Sequence, residues 1–183
     1  MRQTTTKKCL ILSLFTLLAL VLGARQGFGS AAAQSRTDHI NIGIGYMVEN
    51  TMDATVAFEH ETKYHNSWEY FLSASLRYDK CEDCGHICTE SFWDNYNLVG
   101  GGIAYKPCIM RGRNNHGNLR IGASGNWSSE KKFVTGLHLG YEHDYAIRSG
   151  WNLYWQVKCD GMINGRDKVR GGIAIGVKIP SGK

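Results

Sequence analysis

The sequence predicts an all-β protein: an eight-stranded antiparallel up-and-down transmembrane β-barrel, preceded by a signal peptide. Three observations support this prediction. The chain opens with a leader that has the composition of an export signal. The rest alternates apolar and polar residues with a period of two and shows no helical periodicity. Aromatic residues fall at both ends of the apolar faces, as they do in the girdles of membrane barrels.

Residues 1–33 have the three zones of a cleaved signal peptide. Basic residues lie within the first eight positions, an apolar run covers 9–24, and Ala31 and Ala33 form an A-x-A pattern before Gln34. The run is shorter than the roughly 20 residues that a spanning helix needs. We therefore expect cleavage near Ala33, export to the outer membrane, and a single barrel domain over 34–183.

The positive charge of the chain belongs mostly to this leader. Its four basic residues are not balanced by any acid, so cleavage lowers the formal net charge from +5 to +1. The basic pI therefore gives no indication of a nucleic-acid partner.

Eight segments alternate and are predicted as strands. They cover 39–48, 52–60, 68–78, 96–106, 119–127, 133–145, 151–160 and 169–179. Both prolines lie outside them, as strand pairing requires. In 96–106 the alternation is imperfect because Leu98 falls on the face of Gly100 and Gly102, which predicts a β-bulge.

The aromatic residues distinguish a membrane barrel from a soluble one. If the segments run antiparallel, one rim carries Tyr46, Tyr78, Trp127 and Phe133, and the other carries Phe58, Trp68, Tyr105, Tyr145 and Trp151. At about 3.3 Å per residue and a tilt near 40°, Trp68 and Tyr78 are separated by roughly 25 Å along the membrane normal. A soluble barrel has no need of aromatic rings at both rims. The apolar face is therefore expected to contact lipid, with the polar face in the lumen.

The polar face carries six acids and six bases, which we expect to form a mutually neutralising ion-pair network in the lumen. They are Asp53, Glu59, Glu69, Glu142, Asp144 and Asp160 with Arg77, Lys106, Arg120, Lys158, Arg170 and Lys178. An unpaired charge in a closed lumen is costly. Because side chains fill the interior of an eight-stranded barrel, the protein should not conduct ions.

A cysteine cluster lies in the longest connection, residues 79–95. Cys81, Cys84 and Cys88 with His86 have the ligand types and spacing of a zinc site. In an exported protein a loop disulfide is favoured over metal binding or free thiols. Cys108 is expected at the opposite rim and Cys159 on the lipid side, so neither is an obvious partner for this cluster.

We predict no catalytic residue and no cofactor, and hence a protein that is not an enzyme. Some small outer-membrane barrels modify lipid A, using His with Ser or with Asp and Ser. His65-Asn-Ser67 is placed in a turn on the periplasmic side, away from outer-leaflet lipid. His138 and Glu142 share the lumen face and could form an acid–base pair, although a structural role in the ion-pair network is favoured.

Residues 107–117 form an unusually long connection for the periplasmic side, where such barrels keep their turns short. Arg111, Arg113 and His116 make this connection basic and polar. They are candidates for docking onto an acidic protein surface, with a solvated loop as the alternative.

With the strands laid out, the chain resembles the TraO family of conjugative-transposon proteins. The stretches that carry the resemblance are Leu98–Lys106, Gly117–Gly125, Thr135–Glu142 and Gly171–Lys178. The resemblance implies a non-enzymatic outer-membrane component of a mating apparatus, in contact with membrane lipid and other transfer proteins. The Cys81–Cys88 cluster departs from the family pattern. The alternatives are a structural or adhesive barrel unrelated to conjugation, or a lipid A-modifying enzyme.

Overall fold

The fold is built from strands whose alternating side chains separate an apolar from a polar face. A computed structural model describes residues 37–79, 86–87, 95–147 and 150–181. Within them lie β1 (Asp38–Met47), β2 (Thr51–Glu61), β3 (Ser67–Arg77), β4 (Leu98–Lys106), β5 (Cys108–Arg111), β6 (Asn115–Ser128), β7 (Phe133–Ala146), β8 (Asn152–Ile163) and β9 (Val169–Pro180). A 3₁₀ turn covers Lys63–His65. No helix in these ranges is long and apolar enough to cross a membrane.

The strands close into an eight-stranded antiparallel barrel, as predicted. They pair in the order β4-β3-β2-β1-β9-β8-β7-β6, and β6 pairs back with β4. The ninth strand, β5, continues β4 along the same neighbour, β6. Pro107 separates the two because proline has no backbone N–H to donate to the ladder. β4 and β5 therefore count as one strand of the barrel.

The outer surface is apolar and the lumen is polar, which makes this a membrane-type barrel. On β1, Ile40, Ile42 and Ile44 point outward and are 42–62 % exposed, whereas Asn41 and Gly43 are buried inside. A continuous apolar exterior of this kind is stable against lipid and not against water. Alternation separated the two faces, and the aromatic residues at both rims predicted that the apolar one lies outside.

Aromatic side chains lie at both rims of the exterior. Trp127 and Phe133 are exposed at one rim, and Trp68 and Trp151 at the other. Tyr78, also predicted in the first girdle, is buried, and its side chain hydrogen-bonds to that of Tyr46, an exposed residue of the same rim. Tyr78 follows the last residue of β3, and its amide donates a hydrogen bond to the carbonyl of Asn50, which holds it against the neighbouring turn.

The two ends of the barrel differ. At the terminal end, defined by Asp38 and Pro180, lie the connections 62–66, 112–114 and 147–151. At the loop end lie the connections 48–50, 78–97, 129–132 and 164–168. The predicted signal peptide, residues 1–33, lies outside the described residues, as do Cys81, Cys84 and Cys88.

The bulge predicted in 96–106 is wrong. β4 pairs with β3 and β6 without a register shift. Leu98 keeps its place on the inward face and is buried in an apolar cluster with Tyr96, Val134 and Met162. This cluster, the apolar plug, fills the lumen at the loop end. Leu98 is therefore an apolar residue on the polar face because it packs in this cluster. The backbone of β4 is regular.

Residues 107–117 are not a long irregular turn, and this expectation is also corrected. β5 and the start of β6 pair into a short hairpin whose tip is residues 112–114. The register shift predicted for β4 occurs here, between Cys108 and Met110. The first residues of β6 pair with β7 on their other side, whereas β5 pairs only with β6 and continues past the start of β3.

Candidate functional site

Two buried lysines organise the centre of the lumen. The Lys106 Nζ lies 3.0 Å from a Glu59 carboxylate oxygen and 2.9 Å from Glu142, and it also contacts Glu69. The Lys178 Nζ lies 2.9 Å from Glu59, 2.7 Å from Glu142 and 3.0 Å from Asp144. Each ammonium therefore faces three carboxylates, and Glu59 and Glu142 bridge the two lysines.

Two further ion pairs extend this network towards the loop end. Arg120 Nη2 lies 2.8 Å from Glu69, and its guanidinium stacks over the Phe71 ring at 4.5 Å. Lys158 forms an ion pair with Asp53, whose other oxygen accepts a hydrogen bond from Ser75 at 2.8 Å. Planar guanidinium suits both carboxylate and aromatic contacts, which explains arginine at this position.

Eleven of the twelve charged residues assigned to the lumen are buried there; Arg77 is not. Arg77 lies at the loop end, where its guanidinium is 3.2 Å from Glu49 and 3.4 Å from Asp167. Arg170 is buried, and its Nε atom has no hydrogen-bond partner among the described residues. Alternation assigned the inward side chains, but it could not locate where each strand leaves the lumen.

Ser124, His138 and Asp160 form a series of hydrogen bonds that was not predicted from the sequence. His138 Nδ1 lies 2.7 Å from Asp160, and His138 Nε2 lies 2.7 Å from Ser124 Oγ. The carboxylate can only accept, so Nδ1 carries the proton and Nε2 can accept from the Ser124 hydroxyl. His138 does not contact Glu142, which belongs to the lysine network. Only the registers of β6, β7 and β8 bring the three residues together.

Ser, His and Asp in this order form the arrangement used in nucleophilic catalysis. Here all three are buried beneath the apolar plug. The lumen cavity beside His138 and Asp160 has a volume of about 30 Å³, which is room for about one water molecule. An acyl substrate does not fit this space. The hydrogen-bonded series of Ser124, His138 and Asp160 therefore serves the packing of the lumen.

The other histidine and serine considered above lie on either side of the start of β3, His65 in the turn 62–66 and Ser67 as the first residue of the strand. His65 Nδ1 lies 2.6 Å from Glu61 Oε1, and the Ser67 hydroxyl donates to Glu59 at 2.7 Å. The two residues therefore have separate partners. Tyr64 and His65 both have positive φ angles, 65° and 60°, which non-glycine residues rarely adopt.

The docking candidates occupy three different environments. Arg111 lies on β5 with its guanidinium 5.2 Å from the Tyr64 ring. Arg113 is exposed at the hairpin tip. His116 lies within β6, half-buried, with Nε2 3.1 Å from Asp144 and its ring stacked on His65 at 4.6 Å between centroids. His116 thus joins the hairpin to the barrel.

A mouth cavity opens at the terminal end beneath the hairpin. It has a volume of about 250 Å³, and the residues that line it come from the start of β1, the end of β9, the neighbouring turns and the β5–β6 hairpin. They are Thr37, His39, Glu61, His65, Gly112, Arg113, Asn114, Asn115, His116, Ala146, Gly150, Asn152 and Pro180. The sequence analysis did not predict this cavity. Extending the alternation of 119–127 backward would have placed His116 on the inward face.

The metal and thiol candidates lie mostly outside the described residues. Of the predicted cysteine cluster only His86 is described, and it is exposed. Within the described ranges no three His, Cys, Asp or Glu side chains are arranged to hold a metal ion. Cys108 is half-buried at the terminal end, where its thiol donates to the Met110 carbonyl at 3.3 Å. Burial raises the pKa of this thiol and lowers its reactivity.

The chain is similar in fold to small membrane barrels of known structure. Neisserial surface protein A superposes with a TM-score of 0.56 at 12 % identity, over 82 % of this chain and 100 % of that one. A de novo designed transmembrane β-barrel gives a TM-score of 0.50 at 11 % identity, over the same shares. No protein-family model and no curated protein sequence matches the chain.

Proposed function

We propose that this protein is an outer-membrane barrel that serves, without a catalytic centre, as a docking component of a conjugative transfer apparatus. The observation that carries the proposal is the β5–β6 hairpin. Its first strand, β5, continues past the start of β3 and pairs only with β6, so the hairpin presents Arg111 and Arg113 at the terminal end. The conjugative role comes from the resemblance to the TraO family.

The outer-membrane location is supported by the exterior of the barrel. An apolar band between two aromatic rims matches a hydrocarbon layer with an interface on each side. The fold likeness to neisserial surface protein A agrees with this location. In the orientation that we propose, the terminal end and its hairpin face the periplasm.

The hairpin is suited to docking because the barrel holds it in place. The Cys108 amide donates to the Asn66 side-chain oxygen at 2.8 Å, and the Ala146 amide donates to the Asn114 carbonyl at 2.8 Å. Arg111 lies over the Tyr64 ring. A pre-ordered basic surface loses less conformational entropy on binding than a mobile loop does.

The proposal is tested by removing the hairpin and keeping the barrel. Replacing residues 109–117 with Asn-Gly closes a two-residue turn directly after the Cys108–Asn118 pair, in the type I′ geometry that such hairpins favour. We expect normal amounts of heat-modifiable barrel in outer-membrane fractions and a loss of conjugative transfer.

The matched control removes two positive charges from the opposite end, with Lys131→Gln and Lys132→Gln, and should transfer normally. Unchanged transfer in the hairpin variant at normal abundance would contradict docking through this hairpin and favour a structural or adhesive barrel. If the variant misassembles, the double variant Arg111→Gln/Arg113→Gln, which keeps the backbone, decides the same question.

A further inference from the structure

The mouth cavity at the terminal end is larger than the cavity in the lumen and is lined by different elements. Its volume of about 250 Å³ compares with about 30 Å³ for the cavity in the lumen. A water molecule takes up about 30 Å³ of liquid, so the mouth can admit a side chain. The hairpin tip forms one wall, and the ends of β1 and β2 form another.

Each carboxylate at this mouth already has a partner within the described residues. Glu61 is held by His65 at 2.6 Å. Asp144, behind His116, lies 3.0 Å from Lys178 and 3.1 Å from His116. By contrast Arg113, which lines the cavity, forms no ion pair with the described residues. The cavity therefore presents one uncompensated cation.

His39 supplies a second, independent indication of a ligand. Its side chain is 5 % exposed and lines the same cavity, yet the imidazole makes no hydrogen bond within the described ranges. Its ring nitrogens are not among the solvent-sealed unpaired atoms of the described residues, so they are accessible from the cavity. An imidazole facing a water-accessible cavity can donate to an incoming oxygen.

We propose that this cavity binds a carboxylate side chain of an acidic peptide segment, with Arg113 and His39 as its donors. This inference rests on the proposed docking function and names the chemistry of the partner. Guanidinium and carboxylate match in a two-bond geometry that strengthens the contact. The side-chain amides of Asn115 and Asn152, also in the lining, supply further polar contacts to the peptide. The Arg113 charge disfavours a metal cation in the same place.

The test measures binding of a fluorescent hexapeptide of Asp and Glu to the purified full-length barrel in nanodiscs. We expect saturable binding that a peptide of Asn and Gln does not reproduce. Arg113→Gln should weaken binding about tenfold, the effect of losing one charge-assisted hydrogen-bonded contact. His39→Gln should weaken it in the same direction.

Lys63→Gln is the matched control, because Lys63 is an exposed cation in the turn 62–66 at the same end of the barrel and lies outside the cavity lining. It should change the affinity by less than about twofold, as expected for a screened surface charge. Equal losses with Lys63→Gln and Arg113→Gln would overturn the cavity as the site. Displacement of the peptide by inorganic phosphate, but not by acetate at the same concentration, would overturn its assignment to carboxylates.

Failure of this inference can be told apart from failure of the docking function. Peptide binding is measured on purified protein and does not depend on transfer genes. Arg113-dependent binding with normal transfer in the hairpin variant would uphold the cavity and reject the conjugative role. Lost transfer in the hairpin variant without peptide binding would uphold docking and overturn the carboxylate site.

Discussion

The charges of the lumen depend on one another because each is removed from water. The Lys106 side chain is fully buried, and its ammonium contacts Glu59, Glu69 and Glu142. Removing one member of such a group leaves the others buried and uncompensated, which costs more than the intact ion pair contributes. An exposed pair such as Lys132–Glu130, 65 % and 43 % exposed, has no such dependence.

Lys106→Met should therefore strongly destabilise the barrel. We expect a loss of about 3–5 kcal/mol in the free energy of unfolding, measured by urea titration in lipid vesicles. Lys132→Met, which removes the same group from an exposed pair, should change it by less than about 1 kcal/mol. Similar stabilities for the two variants would show that other groups balance the charge of the lumen carboxylates when Lys106 is removed.

At the scale of single elements, β4 and β6 approach closely at a position where β4 has a glycine. Gly102 faces inward, and a Cβ atom there would overlap the backbone carbonyl oxygen of Ala123 and lie 2.7 Å from the Phe71 ring. Gly161 on β8 has no atom within 4 Å of the corresponding position. Glycine is therefore required sterically at the first position and not at the second.

Gly102→Ala should lower the stability of the barrel, because the backbone of β6 cannot move away cheaply. A loss of about 1–3 kcal/mol is expected for such overpacking. Gly161→Ala, the control, should leave stability unchanged or raise it slightly, since alanine restricts the unfolded chain. The gel-shift temperature of each variant measures this difference. A reversed order would show that the β4–β6 spacing is not set by Gly102.

The elements were largely predictable from the sequence, and the departures have a common cause. Alternation is a local property, so it located the barrel strands to within a few residues. It could not show that Leu98 packs against Val134 and Met162, or that Ser124, His138 and Asp160 meet. These contacts depend on register between strands distant in sequence. The hairpin was missed because Pro107 interrupts the pattern there.

At the scale of the whole molecule, two barriers lie in series along the barrel axis. The apolar plug of Tyr96, Leu98, Val134 and Met162 fills the loop end. Below it the ion-pair network crosses the lumen, where Lys106 and Lys178 are bridged by shared carboxylates. The plug offers no hydration to an ion, and beside the network the lumen has a cavity of only about 30 Å³. The two barriers are formed by different residues, so each can be removed without the other.

The monomer should therefore show no stable conductance in planar bilayers. The double variant Leu98→Ala/Met162→Ala removes side chains of the plug. It should still not conduct ions, because the charged layer continues to block the lumen. Combining it with Glu69→Ala and Arg120→Ala removes an acid and a base together, which keeps the net charge and widens the second barrier. Only this four-residue variant should leak ions, provided that gel mobility shows a folded barrel. Reproducible ion-selective steps from the unmodified monomer would contradict a sealed lumen, and conductance in the double variant would place the seal in the plug alone.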